Sequence, residues 1–234
     1  MRFEGKTVIV TGAAGNLGNA VAARFAQEGA KVALVGHDDS KAKALANELG
    51  EQHFGLGVEL TDREAVKKAV ASITEALGAP AILCAVAGGF DMGTPVHDTP
   101  QDKWEAMIDR NFYSLTSTLA AVVPGMIERE AGKIITVGAY GARQGAKNMG
   151  AYAASKSAVM RITESASAEL KNHGINVNGV LPTIIDSEGN REAMPKADPD
   201  KWVSPGSLAG VIAFLASSEA DDIHGALLPV TGRV

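Results

Sequence analysis

The chain of 234 residues contains one cysteine, Cys84. No internal disulfide can form, and a chain of this size has enough core not to need one. Cys84 sits inside an apolar run and reads as packing. There is no run of Lys or Arg and the net charge is −5, which argues against nucleic acid or an anionic membrane as the main partner. No apolar stretch reaches the length of a transmembrane helix. The first residues lack a charged segment followed by an apolar one, so no secretory leader is expected and the chain is expected in the cytoplasm. The five histidines (His37, His53, His97, His173, His224) are scattered, no pair has metal-ligand spacing on one element, and no metal site is expected.

Hydrophobic residues make up 46% of the chain and charged residues 21%, an ordinary globular balance rather than a disordered one. The length suits one α/β domain or two small ones. Short β-branched or apolar runs predict strands at Lys6–Thr11, Lys31–Val35, His53–Leu60, Ala81–Ala87, Lys133–Val137, Asn176–Leu181 and Ala226–Val230. Between them, helical periods run over Asn19–Glu28, Ser40 (as cap) to Leu49, Arg63–Leu77 capped by Asp62, Gln101–Arg110, Asn111–Glu130, Ala151–Lys171 and Leu208–Ser217. Pro124 is expected to kink or end the helix that contains it. Residues 182–205 are irregular, with room for one short helix. The regular alternation, without linker or repeat, predicts a single-domain, doubly wound α/β fold: a parallel sheet of about seven strands with helices on both faces. Ligands in such sheets bind beyond the carboxyl ends of the strands. The loops after strands one, four, five and six are therefore the site candidates.

Two stretches there carry chemistry. After the first strand comes Gly12-Ala-Ala-Gly15-Asn16-Leu17-Gly18. Glycines let backbone approach phosphates, and the helix that follows aims free N–H groups at them. The same stretch would also serve as a tight strand-to-helix turn. Further on, Tyr152-Ala-Ala-Ser-Lys156 puts a phenol and an ammonium four residues apart on one helix face. A nearby Lys⁺ favours the phenolate and lowers the phenol's pKa, making a proton donor or acceptor for neutral pH. Such pairs also occur as two solvated residues on an exposed helix.

Taken together, Thr11-Gly12, Val86-Ala87-Gly88 after the fourth strand, Asn111, Tyr152 to Lys156 and Pro182 after the sixth strand resemble the short-chain dehydrogenase/reductase family over essentially the full chain. The resemblance implies a Rossmann fold and NAD(P)-dependent oxidoreductase activity. Tyr152 would exchange the proton, Lys156 would hold the nicotinamide ribose and depress the pKa of Tyr152, and Asn111 would order a water for a proton relay. Gly12, Gly15, Asn16, Leu17 and Gly18 would hold the pyrophosphate. Glu59 and Leu60 would meet the adenine, Ala87 and Gly88 would flank the cofactor, and backbone after Pro182, near Ile185, would meet the carboxamide. The family often places a carboxylate at the tip of strand two. Here that position is Gly36, followed by His37 where NADP-users often carry arginine. The cofactor is NADP or NAD, with NADP favoured.

Departures from the family pattern are informative. Asn16 replaces the usual middle glycine, and asparagine tolerates a left-handed backbone. Ala85-Val86 replaces a frequent pair of asparagines. The family's catalytic serine lies thirteen positions before its tyrosine, and that position is Ala139. The closest likeness is to dihydropteridine reductase-like members, which also lack the serine. It implies a small planar quinonoid, imine or carbonyl substrate. Gly138 and Ala139 would leave space for a flat ring, with Tyr140 or Asn148 available to substitute for the serine. Trp202, and likewise Trp104, would either pack in the core or lie near the substrate. A second reading is a cofactor-binding sensor or partner subunit with a weakened site. The resemblance also implies a homodimer or homotetramer built on the helices 111–130 and 151–171.

Overall fold

The computed structural model describes residues 1–234. Seven strands form one sheet: β1 (Thr7–Thr11), β2 (Lys31–Gly36), β3 (Phe54–Gly57), β4 (Pro80–Ala85), β5 (Gly132–Val137), β6 (Ile175–Pro182) and β7 (Leu227–Val230). Their order is β3-β2-β1-β4-β5-β6-β7, and every pairing is parallel. The helices are α1 (Asn16–Gln27), α2 (Asp39–Leu49), α3 (Arg63–Leu77), α4 (Gln101–Ile108), α5 (Ser114–Glu128), α6 (Gly150–Leu170), α7 (Glu188–Ala193) and α8 (Pro205–Leu215).

The alternation within β1 divides the core. Val8 and Val10 face α1 and α8, where they pack with Val21, Phe25, Leu208 and Ile212. Ile9 points the other way and packs with Ile73 of α3, Leu115 and Met126 of α5 and Val159 of α6. Strands buried on both faces read as continuous apolar runs for this reason. The chain winds outward from β1 to β3, then returns to place β4 on the other side of β1. That reversal opens a crevice at the carboxyl ends of β1 and β4.

Several local expectations are corrected. The third strand is shorter than His53–Leu60, and the fourth stops at Ala85, not Ala87. Asp38, not Ser40, caps α2: its Oδ1 accepts from the Lys41 N–H at 3.0 Å, and the Ser40 hydroxyl donates to the same oxygen. Pro124 does not end its helix, which continues to Glu128. Pro124 and Ala120, whose carbonyl loses its helical partner, are both exposed, so water can take up the freed acceptor. Helices 101–110 and 111–130 are one rod, joined by a π-helical turn at Asp109–Tyr113 that contains Asn111.

The sheet's outer edge depends on close contact between backbones. At Gly55 of β3, a methyl group would overlap the Ala42 carbonyl of α2, and at Gly57 it would lie 2.6 Å from the Asp39 nitrogen. Neither obstacle is a side chain that can swing away. Gly55→Ala should therefore cost about 3 kcal/mol, the upper end of overpacking penalties, and lower the Tm by roughly 6–12 °C. Thermal and denaturant unfolding test this; an unchanged Tm would contradict the packing.

Candidate active site

The site is assembled where β1 and β4 end. Gly12 has a φ of +66°. A side chain there would come within 2.8 Å of the Ala87 Cα, so the glycine lets the turn after β1 lie against the loop after β4. Thr11 fixes that contact, its Oγ1 accepting from the Ala87 N–H at 3.1 Å. This bond joins the two loops at a place where Ala85-Val86 supplies no polar side chain. Gly15 caps α1 with extended backbone. Asn16 is the first residue of α1, not a left-handed turn residue; the left-handed position is Gly12. The Asn16 amide instead reaches across and donates to the Asp186 carbonyl at 2.7 Å, tying the glycine turn to the loop after β6. Leu17 sends its side chain into the core, and Gly18 is buried against the Gly12 carbonyl. What this turn offers a ligand is the free N–H groups at the start of α1.

A cavity of about 650 Å³ opens beside it. Gly12, Gly36 and His37 line it from the ends of β1 and β2, Glu59 and Leu60 from the segment after β3, and Ala87 and Gly88 from the segment after β4. These predicted residues, distant in sequence, share one cleft. Gly15, Asn16, Leu17, Gly18, Tyr152, Lys156, Pro182 and Ile185 are not among its lining residues; Gly15 N donates to the Gly12 carbonyl, and the Ile185 carbonyl is taken by the Asn190 amide at 2.7 Å. Asp109 and Arg110 of the π turn also line the cleft. They escaped the sequence reading, because a helical period gives no sign that one turn is widened towards a ligand. At the rim, His37 Nδ1 lies 3.8 Å from Glu59 Oε2. Hydrogen bonds from Thr61 hold the Glu59 carboxyl below its ordinary pKa.

Deeper in, Asn111 and Lys156 meet around Gly88. A methyl group on Gly88 would lie 2.6 Å from Asn111 Oδ1 and 3.0 Å from Lys156 Nζ. Asn111 is buried, with both amide hydrogens used: its amide donates to Gly89 O (3.1 Å) and Ser155 Oγ (3.0 Å), while its Oδ1 accepts from Gly89 N (2.9 Å). With both hydrogens spent, the side chain positions the loop after β4 against α6. Lys156, 6% exposed, donates to the Val137 carbonyl at 2.8 Å. Burial pulls its pKa down to about 8.

Tyr152 stands one turn earlier on α6. Its hydroxyl bonds no protein group, although the ring is packed: Phe90 meets it edge-on at 4.8 Å between centroids. Burial pushes the phenol up to about 12, the opposite of the lowering expected from the Tyr–Lys spacing. In the free protein desolvation outweighs the cation, whose hydrogen bond goes to Val137 instead. Phe90 is the other residue that the sequence reading missed. It is an exposed aromatic in a loop, and only the fold shows that it touches the phenol.

The expected space at Gly138 and Ala139 is filled. Ala139 is buried with Ala142, Met160 and Leu181, and a side chain on Gly138 would strike Leu181 Cδ2 at 2.6 Å. Tyr140 lies under the Arg143 guanidinium, 3.7 Å from its ring centre. Asn148, at φ +61°, accepts from Gly93 N at 2.8 Å and so joins the loops after β4 and β5. Trp202 is packed at 7% exposure, and Trp104 lies close to Gly150 at the start of α6. No group of three His, Cys, Asp or Glu side chains gathers to suit a metal, and no helix is long and apolar enough to cross a membrane.

Comparison with known proteins extends this geometry. The family model described as short chain dehydrogenase matches residues 6–198. Sorbitol dehydrogenase of Cereibacter sphaeroides is 30% identical over 99% of this chain and 98% of its own length. The 3-oxoacyl-(acyl-carrier-protein) reductase of Vibrio cholerae is also 30% identical, with the same coverage. Among solved structures, NAD⁺-bound xylitol dehydrogenase superposes with a TM-score of 0.92 at 27% identity, covering 99% of this chain and 100% of that one. A 3-ketoacyl-(acyl-carrier-protein) reductase from Brucella melitensis, complexed with NADH, gives 0.89 at 26% identity, covering 98% of each chain.

The buried ammonium has a consequence for stability. The folded-state pKa of Lys156 lies below its unfolded value, about 8 against 10.5. Between those values the unfolded chain binds more protons, so stability rises with pH across the window. The desolvation amounts to about 3 kcal/mol at pH 7, set against about 1 kcal/mol for the bond to Val137. Lys156→Met should therefore stabilise the cofactor-free chain at pH 7 by about 2 kcal/mol. The gain should shrink as pH rises from about 8 to 10.5. Urea unfolding at several pH values decides, and a Lys156→Met chain less stable than wild type at pH 7 would refute the burial cost.

Proposed function

The chain belongs to the short-chain dehydrogenase family, an NAD(P)-dependent oxidoreductase family, and from that premise we propose that it reduces a small planar, conjugated quinonoid, imine or carbonyl substrate, with Tyr152 as the proton donor. The observation that carries this reading is a phenol hydroxyl without a protein partner, one helical turn before a buried lysine whose ammonium packs against Gly88 of the glycine-lined cleft.

The cleft fits a dinucleotide. Gly12, Gly36, Ala87 and Gly88 line it without side-chain bulk, and the start of α1 presents free N–H groups for a pyrophosphate. Gly36 and His37 would lie by the adenosine ribose, with Glu59 and Leu60 by the adenine. With Glu59 opposite His37, the balance drawn from Gly36 and His37 alone moves towards NAD(H): a carboxylate at the rim repels a 2′-phosphate. The relatives solved with NAD⁺ and NADH support the same choice.

When bound, the nicotinamide supplies the hydride. The residues of this chain do the rest. Tyr152, with its raised pKa, stays protonated at neutral pH and gives its proton to the substrate atom that gains negative charge. The Lys156 ammonium would stabilise the phenolate left behind and, with the cofactor bound, would hold the ribose hydroxyls. Asn111 keeps Gly89 and α6 in register, and its acceptor side is the part that can order a relay water. Phe90, which meets the Tyr152 ring edge-on, would give a flat ring an apolar neighbour.

With Ala139 in the serine position, only one hydroxyl faces the developing charge. A conjugated ring spreads that charge and needs less local stabilisation than a simple ketone, which is the likeness to the dihydropteridine reductase-like members. The packed Ala139 also favours one alternative, a cofactor-binding sensor or partner subunit with a weakened site. A homodimer or homotetramer through the outer faces of α5 and α6 completes the proposal; Leu119, Val123, Ile162 and Ala166 line an open groove between them.

Tyr152→Phe should lower kcat by about 10²-fold or more while leaving the Kd for NADH essentially unchanged. NADH oxidation with quinones, dihydropterins and simple ketones as acceptors measures this. A Tyr152→Phe variant with near-native kcat would remove the phenol from the mechanism. Tight NADH binding without turnover on any acceptor would favour the sensor. A second variant, Ala139→Ser, should raise activity on simple ketones by up to about 10²–10³-fold, the worth of one oxyanion donor, and should not improve turnover of the planar acceptor. An equal gain on both would mark the alanine as a lesion.

A further inference from the structure

At the other end of the sheet, where the strands begin, lies a cavity of about 800 Å³. It is larger than the cofactor cleft and takes no part in the proposed chemistry. Its lining is strongly basic: Arg2, Lys6, Arg129, Lys133 and Lys171 contribute to it, against the single carboxylate of Asp221. The chain as a whole has 27 acidic residues and 22 Lys or Arg, so this surplus runs against the composition.

Local pairing does not account for it. Glu28 is taken by Arg2 at 2.5 Å and also by Arg24, and Asp221 is taken by Lys133. Lys6, Arg129 and Lys171 have no carboxylate partner. Arg129 and Lys171 stand at the C-terminal ends of α5 and α6, where cations offset helix dipoles. Two such ends carry about one negative charge between them, which leaves roughly two positive charges unanswered. Arg129 is also aimed: its Nη2 donates to the Pro80 carbonyl at 2.7 Å, leaving the rest of the guanidinium fork for a ligand. The floor is firm. Lys133 is held by Asn176 (2.8 Å), and Asn176 is bound to the carbonyls of Asp221 (2.7 Å) and Ile223 (3.0 Å). Phe3, Ile82 and Ala216 supply apolar wall between the charged groups.

We infer that this cavity binds an organic phosphate of small-metabolite size. Two or three unpaired cations call for a ligand with about two negative charges, which one phosphomonoester group carries at neutral pH. An arginine fork matches phosphate geometry, and the apolar wall suits an organic body. The volume is that of an ordinary ligand site.

The test uses the full chain with saturating NADH, so that the cofactor cleft is filled, and titrates inorganic pyrophosphate and then glycerol 2-phosphate by calorimetry at low salt. One site is expected for each. The Lys6→Gln/Lys171→Gln chain should bind at least tenfold more weakly, as should Arg129→Gln, each still folding cooperatively with a Tm within about 5 °C of wild type. Lys41→Gln/Lys67→Gln, distant surface charges, should leave binding intact, as should Arg110→Gln in the other cleft. Absence of binding would overturn the inference. So would equal loss in the Lys41/Lys67 control, which marks a diffuse ion atmosphere, or loss in Arg110→Gln alone, which places the anion in the cofactor cleft. Binding of pyrophosphate but not of glycerol 2-phosphate would overturn the organic-phosphate assignment.

Discussion

Gly88 is bare because two side chains need its space. Asn111 Oδ1 and Lys156 Nζ approach it from two sides, closer than a methyl group would allow. Four parts of the chain meet at that point: the loop after β4, the π turn before α5, the middle of α6 and, through the Val137 carbonyl, the end of β5. Each is held by the others. Asn111 binds the loop by both faces of its amide and reaches α6 through Ser155. The geometry of the phenol one turn away follows from this junction, since Ser155 in turn donates to the Tyr152 carbonyl at 2.9 Å. A site built on packed elements in this way is held more tightly than one built on loops alone.

The sequence carried the parts of the structure that depend on local pattern. Runs of five to eight residues, mostly apolar, marked the strands, because both faces of the sheet are covered. The glycine turn and the Tyr152–Lys156 spacing pointed to two parts of the candidate site, because each is local in sequence. What could not be read depends on contacts between distant segments. The π turn looks like any helix in sequence, and its widening shows only where Asn111 has to face Gly89. Pro124 survives in α5 because its turn faces outward, a fact of tertiary position. The space expected at Gly138 and Ala139 was inferred from two small residues, yet Leu181 and Met160 occupy it. Small side chains at a site mean either room for a ligand or close approach of a neighbour, and sequence alone does not separate the two. The same ambiguity hid Asn16: a short polar residue in a turn suggests backbone tolerance, whereas here the side chain bridges to Asp186.

The two ends of the sheet have opposite electrostatic tasks. Where the strands end, helix N-termini supply partial positive charge, and the side chains Glu59 and Asp38, beyond β3 and β2, are acidic. Where the strands begin, helix C-termini supply partial negative charge, and cations answer it in excess. A doubly wound fold imposes the first half of each statement through its direction of winding; the side chains supply the second. The basic surplus at the strand-start end is therefore a property of this sequence and not of the fold.

Burial drives Tyr152 and Lys156, the pair proposed to be catalytic, towards neutrality from both directions. It raises the Tyr152 phenol to about 12 and lowers the Lys156 ammonium to about 8. Between those values the free site carries little charge, because the phenol keeps its proton and the amine has lost its own. Below about 8 it carries the lysine cation alone. Proton donation by the phenol requires the second state: a phenolate forming next to a neutral amine has only burial to meet, whereas one forming next to an ammonium has a counter-ion. The same desolvation that makes the isolated cation costly makes its attraction for a new anion strong. The fold thus accepts an unfavourable lysine in the resting protein, and under the proposed mechanism that lysine would become favourable only as the proton leaves Tyr152.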